Sequence, residues 1–372
     1  MSLWMLETRR IMTQRILITG GAGFIGSQLA KSLCADHEVM VFDNFHPQVH
    51  GYNRVEEATG LVGKCHILRG DVANAEDVGF AVRSFNPDLI YHLAAETGTG
   101  QSYEEPTRYN LVNVIGTTNL IEAVRGHGGS VKRIVLAGSR AIYGEGAARD
   151  GLGTIRNAPP RRIEDMRRGH FGLQDEKGTT LTPVPTPETL PVAPTSIYAS
   201  TKLMQEYVCT QCVAGTEVDV VILRLQNVYG PGQSLRNPYT GVISIFCQKV
   251  QQGEWLDVFE DGEIIRDFVY IDDVVEAFRS SASLTSAPAL PINIGTGSPV
   301  SIRSVAKSIL KLYGRDPDEH HITGNFRAGD VRHAVAEIVV ARELLGWQPR
   351  TGFAEGLKRF VQWAKESQAA LA

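Results

Sequence analysis

The chain is short of cysteine: five in 372 residues (Cys34, Cys65, Cys209, Cys212 and Cys247), an odd number at scattered spacing. This argues against a disulfide framework, and reduced thiols in a cytoplasmic protein are expected. Cys209 and Cys212 spell CxxC, but late in an expected helix, far from the N-terminus that would lower a thiol pKa. No second pair completes a zinc site, so no metal is expected. An excess of one charge is missing as well. With 37 Lys and Arg against 41 Asp and Glu, the net charge of −4 gives nucleic acid or an anionic membrane no electrostatic hold. No apolar run approaches the ~20 residues of a membrane span. Residues 1–13 lack the continuous apolar core of a signal peptide and are read as a leader, expected to be disordered. No internal repeat is present. What is left is globular: 43% hydrophobic and 21% charged residues, in a chain long enough for two domains around one cleft.

Glycine is plentiful, at 37 residues, and one cluster organises the chain. Arg15-Ile16-Leu17-Ile18-Thr19 runs into Gly20-Gly21-Ala22-Gly23-Phe24-Ile25-Gly26, after which apolar residues fall at helical spacing. A buried strand turning tightly into a helix accounts for this. Gly20 permits the turn, Gly23 lets a pyrophosphate approach the backbone, and Gly26 lets helix and strand pack closely. The next strand, Val39 to Phe42, ends at Asp43, whose carboxylate suits both hydroxyls of an adenosine ribose. It would repel a 2′-phosphate, so NAD is expected rather than NADP.

Strands and helices keep alternating, as in right-handed crossovers of a parallel sheet. Cys65 to Leu68 is a third strand, followed by Asp71 and Val72, where Asp71 either meets the adenine or caps the next helix. A fourth strand, Asp88 to Ala95, ends in small residues that let a cofactor lie over the sheet edge. The polar loop Glu96 to Ser102 follows, either a sugar-contacting loop or an ordinary one, then an amphipathic segment from Glu105 to Val124. The fifth strand, Arg133 to Ala137, delivers Ser139 to the same edge. The cofactor wall expected from these segments comprises Gly20, Gly23, Phe24, Ile25, Gly26, Asp43, Asn44, Asp71, Val72, Leu93, Ala94, Ala95 and Asn113. From Glu145 to Thr195 periodicity is lost amid seven prolines, with basic pairs Arg161-Arg162 and Arg167-Arg168. Such a segment is expected to be a lid, a partner surface or partly disordered, with its charges solvated.

Tyr198 and Lys202 then open a helix four positions apart, on one face. A phenol is a poor base at neutral pH, and a neighbouring ammonium together with a cationic nicotinamide favours the phenolate. A sixth strand spans Val218 to Leu225. Beyond it the alternation thins, and a smaller lobe is expected over the sheet edge. Gly295-Thr296-Gly297 imitates a phosphate loop but lacks a third glycine in register and is read as structural, with Ser301 capping the next helix. Arg266 and Arg327 come from separate segments and suit a diphosphate clamp.

Together these segments resemble the extended short-chain dehydrogenase/reductases that act on nucleotide sugars, over roughly residues 14–365. The carriers are Thr19 to Gly26, Asp43, Gly70-Asp71-Val72, Ser139 with Tyr143-Gly144, Tyr198 to Lys202, Asn227 to Gly232, Arg266-Asp267-Phe268 and Arg327 to Asp330. The resemblance implies an α/β Rossmann fold, a doubly wound parallel sheet with helices on both faces and a smaller C-terminal α/β substrate lobe. The NAD-binding domain would span 14–225, with 145–195 as an insertion. Residues 226–372 would form mainly the substrate lobe, with some segments returning to the sheet. The resemblance makes Tyr198 the acid/base, Lys202 the holder of the nicotinamide ribose, and Ser139 a partner of the sugar oxygen at C4. Arg266 and Arg327 match diphosphate-binding positions, and Asp330 a ribose-binding one. Thr97, Gln101, Arg140 and Asn227 complete the expected substrate contacts. A homodimer pairing through residues 105–124 and 197–213 is implied.

Departures from the pattern narrow the reaction. The 4,6-dehydratases of this family carry an Asp-Glu pair after the position of Ser139; here Arg140 and Ala141 stand there. Without an acid and a base for elimination, dehydration loses support, and so does decarboxylation. There remains 4-epimerisation: oxidation at C4, a transient 4-keto sugar and hydride return to its other face. Ser139 and Tyr198 are 59 positions apart, more than in most relatives. Thr97 to Ser102 and Asn237 to Val242 are similar to the matching stretches of dTDP-L-rhamnose 4-epimerases. A UDP-hexose 4-epimerase, an NAD(P)H-dependent 4-ketoreductase and a non-catalytic NAD-binding regulator stay open.

Overall fold

The computed structural model describes residues 13–51, 60–235, 237 and 241–369. Residues 1–12 of the leader, and 238–240 of the stretch from Asn237 to Val242, lie outside them. The first strands are β1 (Arg15–Thr19), β2 (Glu38–Asp43), β3 (His66–Arg69), β4 (Leu89–His92) and β5 (Arg133–Ser139). The segment after β5 forms β6 (Ala147–Arg149), β7 (Ile155–Asn157) and β8 (Thr182–Pro183). β9 (Asp219–Leu225) and β10 (Asn227–Tyr229) follow the Tyr198 helix, Ile197–Cys212. The later strands are β11 (Leu256–Val258), β12 (Ile265–Arg266), β13 (Phe268–Tyr270), β14 (Ile292–Ile294), β15 (Val300–Ser301), β16 (His320–Ile322) and β17 (His333–Ala334).

Seven strands make the large sheet, in the order β14-β9-β5-β4-β1-β2-β3, all parallel. The order reverses beside β1, where an open α/β sheet leaves a crevice for ligands. Sandwiched strands must be apolar on both faces, and β5 is buried at all seven positions. One cluster, with Ile16, Ile18, Val135 and Leu223, packs against helices on one side; another, with Leu17, Ile90, Ile134 and Leu136, packs on the other. Each such side chain contributes roughly 1.5–3 kcal/mol by burial. β14 lies in the C-terminal part of the chain yet adds to the edge of this sheet. Short two- and three-stranded sheets build the lobe above the strand ends.

Two expectations are corrected. The segment 145–195 carries an antiparallel sheet, β7-β6-β8, over its own small core of Ala148, Ala158, Leu173 and Leu181, so it is not structureless. Its Arg161 is not solvated: the side chain is 3% exposed, because carboxylates of Glu145 and Glu260 flank it. The cap of the helix Ala75–Phe85 is Asn74, which accepts from the amides of Glu76 and Asp77, and not Asp71. Asp71 is occupied instead by the Ala73 amide and the Asn44 side chain. Within the amphipathic segment from Glu105 to Val124, a π-helical turn stands at Asn110–Ile115.

Candidate active site

A cleft of about 1340 Å³ runs along the carboxyl ends of the strands, between the sheet and the upper lobe. Its floor is the glycine turn. A Cβ on Gly26 would stand 2.3 Å from the Gly20 carbonyl, and one on Gly20, whose φ is +68°, would stand 2.6 Å from the Ala94 amide nitrogen. These two glycines therefore serve the fold. At Gly23 a Cβ would meet nothing nearer than the Gly20 carbonyl at 3.2 Å, so this face is left open to the cleft. Asp43, at the end of β2, accepts from the Ala22 and Phe45 amides at 3.0 and 2.8 Å. A carboxylate is thus fixed beside the turn. Phe24, Ile25, Asn44, Val72, Leu93, Ala94 and Ala95 also line the cleft.

Deeper in, β5 brings Ser139 and the helix Ile197–Cys212 brings Tyr198 and Lys202 to one wall. Ser196 caps that helix by accepting from the Ala199 amide at 3.1 Å, which fixes its first turn and hence Tyr198. The ring of Tyr109 meets that of Tyr198 edge-on, centroids 6.3 Å apart. Burial holds the Tyr198 phenol above its ordinary range, while a hydrogen bond with Ser139 and the charge of Arg140 pull it back. Lys202 is buried, and burial lowers its pKa to about 8, against the opposing charge of Glu206. Its ammonium donates to the Ala137 carbonyl at 2.6 Å and to Gln205 Oε1 at 2.5 Å. An ammonium has three donors, so one is left for a ligand.

Behind Lys202 lies a buried polar chain that no sequence pattern announced. Gln205 donates to Thr117 at 2.7 Å, Thr117 meets His92 at 2.8 Å, and His92 meets Thr19 at 2.7 Å. The Arg224 guanidinium forks onto Glu206 and also donates to the Tyr143 hydroxyl at 2.7 Å. These bonds pin the Tyr198 helix to β9 and β4. At the far end, Arg140, Asn227, Arg266, Arg327 and Asp330 line the cleft together with Thr97. Arg266 and Asp330 are paired with each other at 2.6 Å. Arg140 stays protonated at neutral pH, although burial and the charge of Arg266 lower its pKa to about 10.

Asp71, Gln101 and Asn113 are not brought to the cleft surface. Gln101 is buried against Gln48 and Glu105. Asn113, carried by the π-helical turn, clamps the backbone of Glu96 at 2.7 and 3.1 Å and donates to Thr201 at 3.0 Å. It aligns the loop after β4 with the Tyr198 helix. Gln226 and Gln233, which the sequence did not single out, do line the cleft. Among the described residues the buried side-chain oxygens of Gln226, Asn227 and Gln233 have no hydrogen-bond partner. Unpaired buried acceptors in a cleft wall fit a polar ligand. Elsewhere, the amides of Thr296 and Gly297 are taken by Asp267 at 2.7 and 2.9 Å, which makes that turn structural. Ser301 caps its helix, His321 stacks on Trp255, and the buried Cys209 thiol is pushed up to about 12 by burial.

A doubly wound parallel sheet, a glycine turn open to a long cleft, and a Ser-Tyr-Lys group on its wall define an enzyme that works with a dinucleotide. The profile of the NAD dependent epimerase/dehydratase family matches residues 16–164 and 176–295, and the chain belongs to that family. NAD is its cofactor, and Gly23, Asp43 and the free donor of Lys202 are suited to hold it. The chain is 40% identical to a dTDP-L-rhamnose 4-epimerase of Burkholderia thailandensis over 94% of each chain. It is 31% identical to a UDP-glucose 4-epimerase of Mycolicibacterium smegmatis, over 94% of this chain and 98% of the other. Among solved structures it is similar to UDP-glucose 4-epimerase of Thermotoga maritima with UDP-glucose, with a TM-score of 0.77, 28% identity and coverage of 95% and 99%. MoeE5 in complex with UDP-glucuronic acid and NAD gives a TM-score of 0.74 at 30% identity, with the same coverage.

Proposed function

We propose that the protein is a nucleotide-sugar 4-epimerase that interconverts dTDP-L-rhamnose and dTDP-6-deoxy-L-talose, acting as a homodimer. The observation that carries the reaction is the meeting of Ser139, Tyr198 and Lys202 on one cleft wall, with Arg140 and Ala141 after Ser139 where elimination would need an acid. The substrate reading is supported by the 40% identity to the Burkholderia enzyme. Bound NAD would take a hydride from the sugar C4 and return it to the opposite face. The protein's own part is proton handling and positioning. Ser139 holds the C4 oxygen and passes its proton to Tyr198, and Lys202 favours the phenolate. A phenol is protonated at neutral pH by its ordinary pKa, and burial raises it further, so positive charge beside it favours its action as base. Arg266 and Arg327 face the diphosphate, and Asp330, released in part from Arg266, accepts from the ribose.

A UDP-hexose 4-epimerase is the second reading, favoured by the likeness to the Thermotoga structure. The two are separated by incubating the protein with dTDP-L-rhamnose, UDP-glucose and UDP-galactose without added cofactor, following the C4 proton by NMR. Conversion of dTDP-L-rhamnose alone is expected. Stoichiometric change in reduced-nicotinamide absorbance during turnover would point to a ketoreductase instead.

A further inference from the structure

The insertion is joined to the far end of the cleft by one side chain that does not line it. Arg161 donates from Nε to Glu145 at 2.9 Å, from Nη1 to Glu260 at 2.8 Å and from Nη2 to the Asp330 carbonyl at 2.9 Å. A fourth contact, Nη1 to the Phe171 carbonyl at 3.3 Å, holds the insertion itself. One guanidinium thereby gathers the insertion, the turn after β11 and the loop Arg327 to Asp330. Glu260 lies in the left-handed region, with φ of +54°, a conformation that costs a non-glycine residue of order 1–3 kcal/mol. Its carboxylate is 1% exposed and held between Arg161 and Arg332, each at 2.8 Å. Arg332 in turn grips Asp261 at 2.7 and 2.8 Å, and its amide donates to Glu145 at 2.6 Å. A second clasp lies beside it: Thr195 donates to the Gly329 carbonyl at 3.4 Å, and Tyr103 donates to the Thr195 carbonyl at 2.9 Å. The segments so pinned present three groups to the cleft. Phe259 precedes Glu260, Arg327 lies 5.1 Å over its ring, and Asp330 pairs with Arg266.

We propose that Arg161 is a positioning residue for the nucleoside diphosphate end of the substrate, fixing Phe259, Arg327 and Asp330 through Glu260 and the Asp330 carbonyl. The assignment rests on the nucleotide-sugar reading above. Only a planar fork with several donors makes all these bonds at once; a lysine keeps the charge and loses the geometry. The strained backbone of Glu260 is retained because its carboxylate has two arginines to meet.

The test uses the NAD-loaded protein and titrates dTDP and UDP by calorimetry, alongside KM and kcat for the proposed substrate, dTDP-L-rhamnose. Arg161→Met is expected to weaken nucleoside diphosphate binding and raise KM by about tenfold or more, with kcat and NAD retention unchanged. Arg161→Lys is expected to recover part of the loss. Unchanged nucleoside diphosphate affinity and KM in a folded, NAD-loaded Arg161→Met protein overturns the proposal. Loss of NAD in both variants overturns it as well, because Arg161 would then hold the fold rather than the substrate. Wild-type protein that bound neither dTDP nor UDP would remove the nucleotide-sugar reading itself, a result distinct from a variant that binds as the wild type does.

Discussion

Gly23 and Gly26 sit in one turn and answer to opposite constraints. Gly26 is pressed on the Gly20 carbonyl, while Gly23 faces the cleft with φ of −65°, which alanine adopts freely. Gly26→Ala is expected to lower stability by about 1–3 kcal/mol through overpacking, read as a fall in thermal midpoint. Gly23→Ala should melt close to the wild type and yet bind NAD more weakly, because the added methyl projects where a pyrophosphate approaches. If calorimetry found NAD affinity unchanged in Gly23→Ala, the pyrophosphate would lie elsewhere. Tyr198→Phe keeps the ring against Tyr109 and removes only the hydroxyl. Turnover is expected to drop by about 10²–10⁴-fold with NAD binding preserved.

Among the elements, β4 contributes a titratable group to the interior. His92 is wholly buried between Thr19 and Thr117, and burial, aided by the charge of Lys202, lowers its pKa to about 3. Between pH 6.5 and that value the unfolded chain binds a proton that the folded chain refuses. Stability is therefore lost as the pH falls through this window, by roughly 1.4 kcal/mol per pH unit. Urea unfolding at pH 7 and pH 5 should show a steeper loss in wild type than in His92→Asn; equal slopes would refute the assignment. The strands and the glycine turn were legible in the sequence because their signals are local: an apolar run, a turn residue, a cap. The order of the 145–195 segment was not. It depends on pairs such as Arg161 with Glu260, 99 positions apart, and a basic pair in a proline-rich stretch reads locally as solvated. Asn113 showed a similar limit, since the π-helical turn that directs its amide to Glu96 leaves no trace in hydrophobic spacing. Gln226 and Gln233 were missed because unpaired acceptors become visible only when a cleft is built around them.

At the scale of the whole molecule, exposed apolar side chains gather on the helical layer that carries the active-site tyrosine. Leu111 and Ile115 on the π-helical turn are 47% and 44% exposed, and Met204 and Tyr207 on the adjacent helix are 44% and 43% exposed. Burying them against a second copy is the expected homodimer contact. Light scattering should give twice the chain mass, and a Met204→Glu, Tyr207→Glu protein should give one. A wild-type monomer would sink the dimer. The tyrosine is secured by Arg224, Glu206 and Asn113, whereas Arg327 and Asp330 are secured by Arg161 and Arg332. The excursion between β5 and the tyrosine helix meets both sets, since its Tyr143 hydroxyl takes a bond from Arg224 and its Arg161 donates to the Asp330 carbonyl. A change in that excursion therefore reaches the nucleotide end and the tyrosine helix alike.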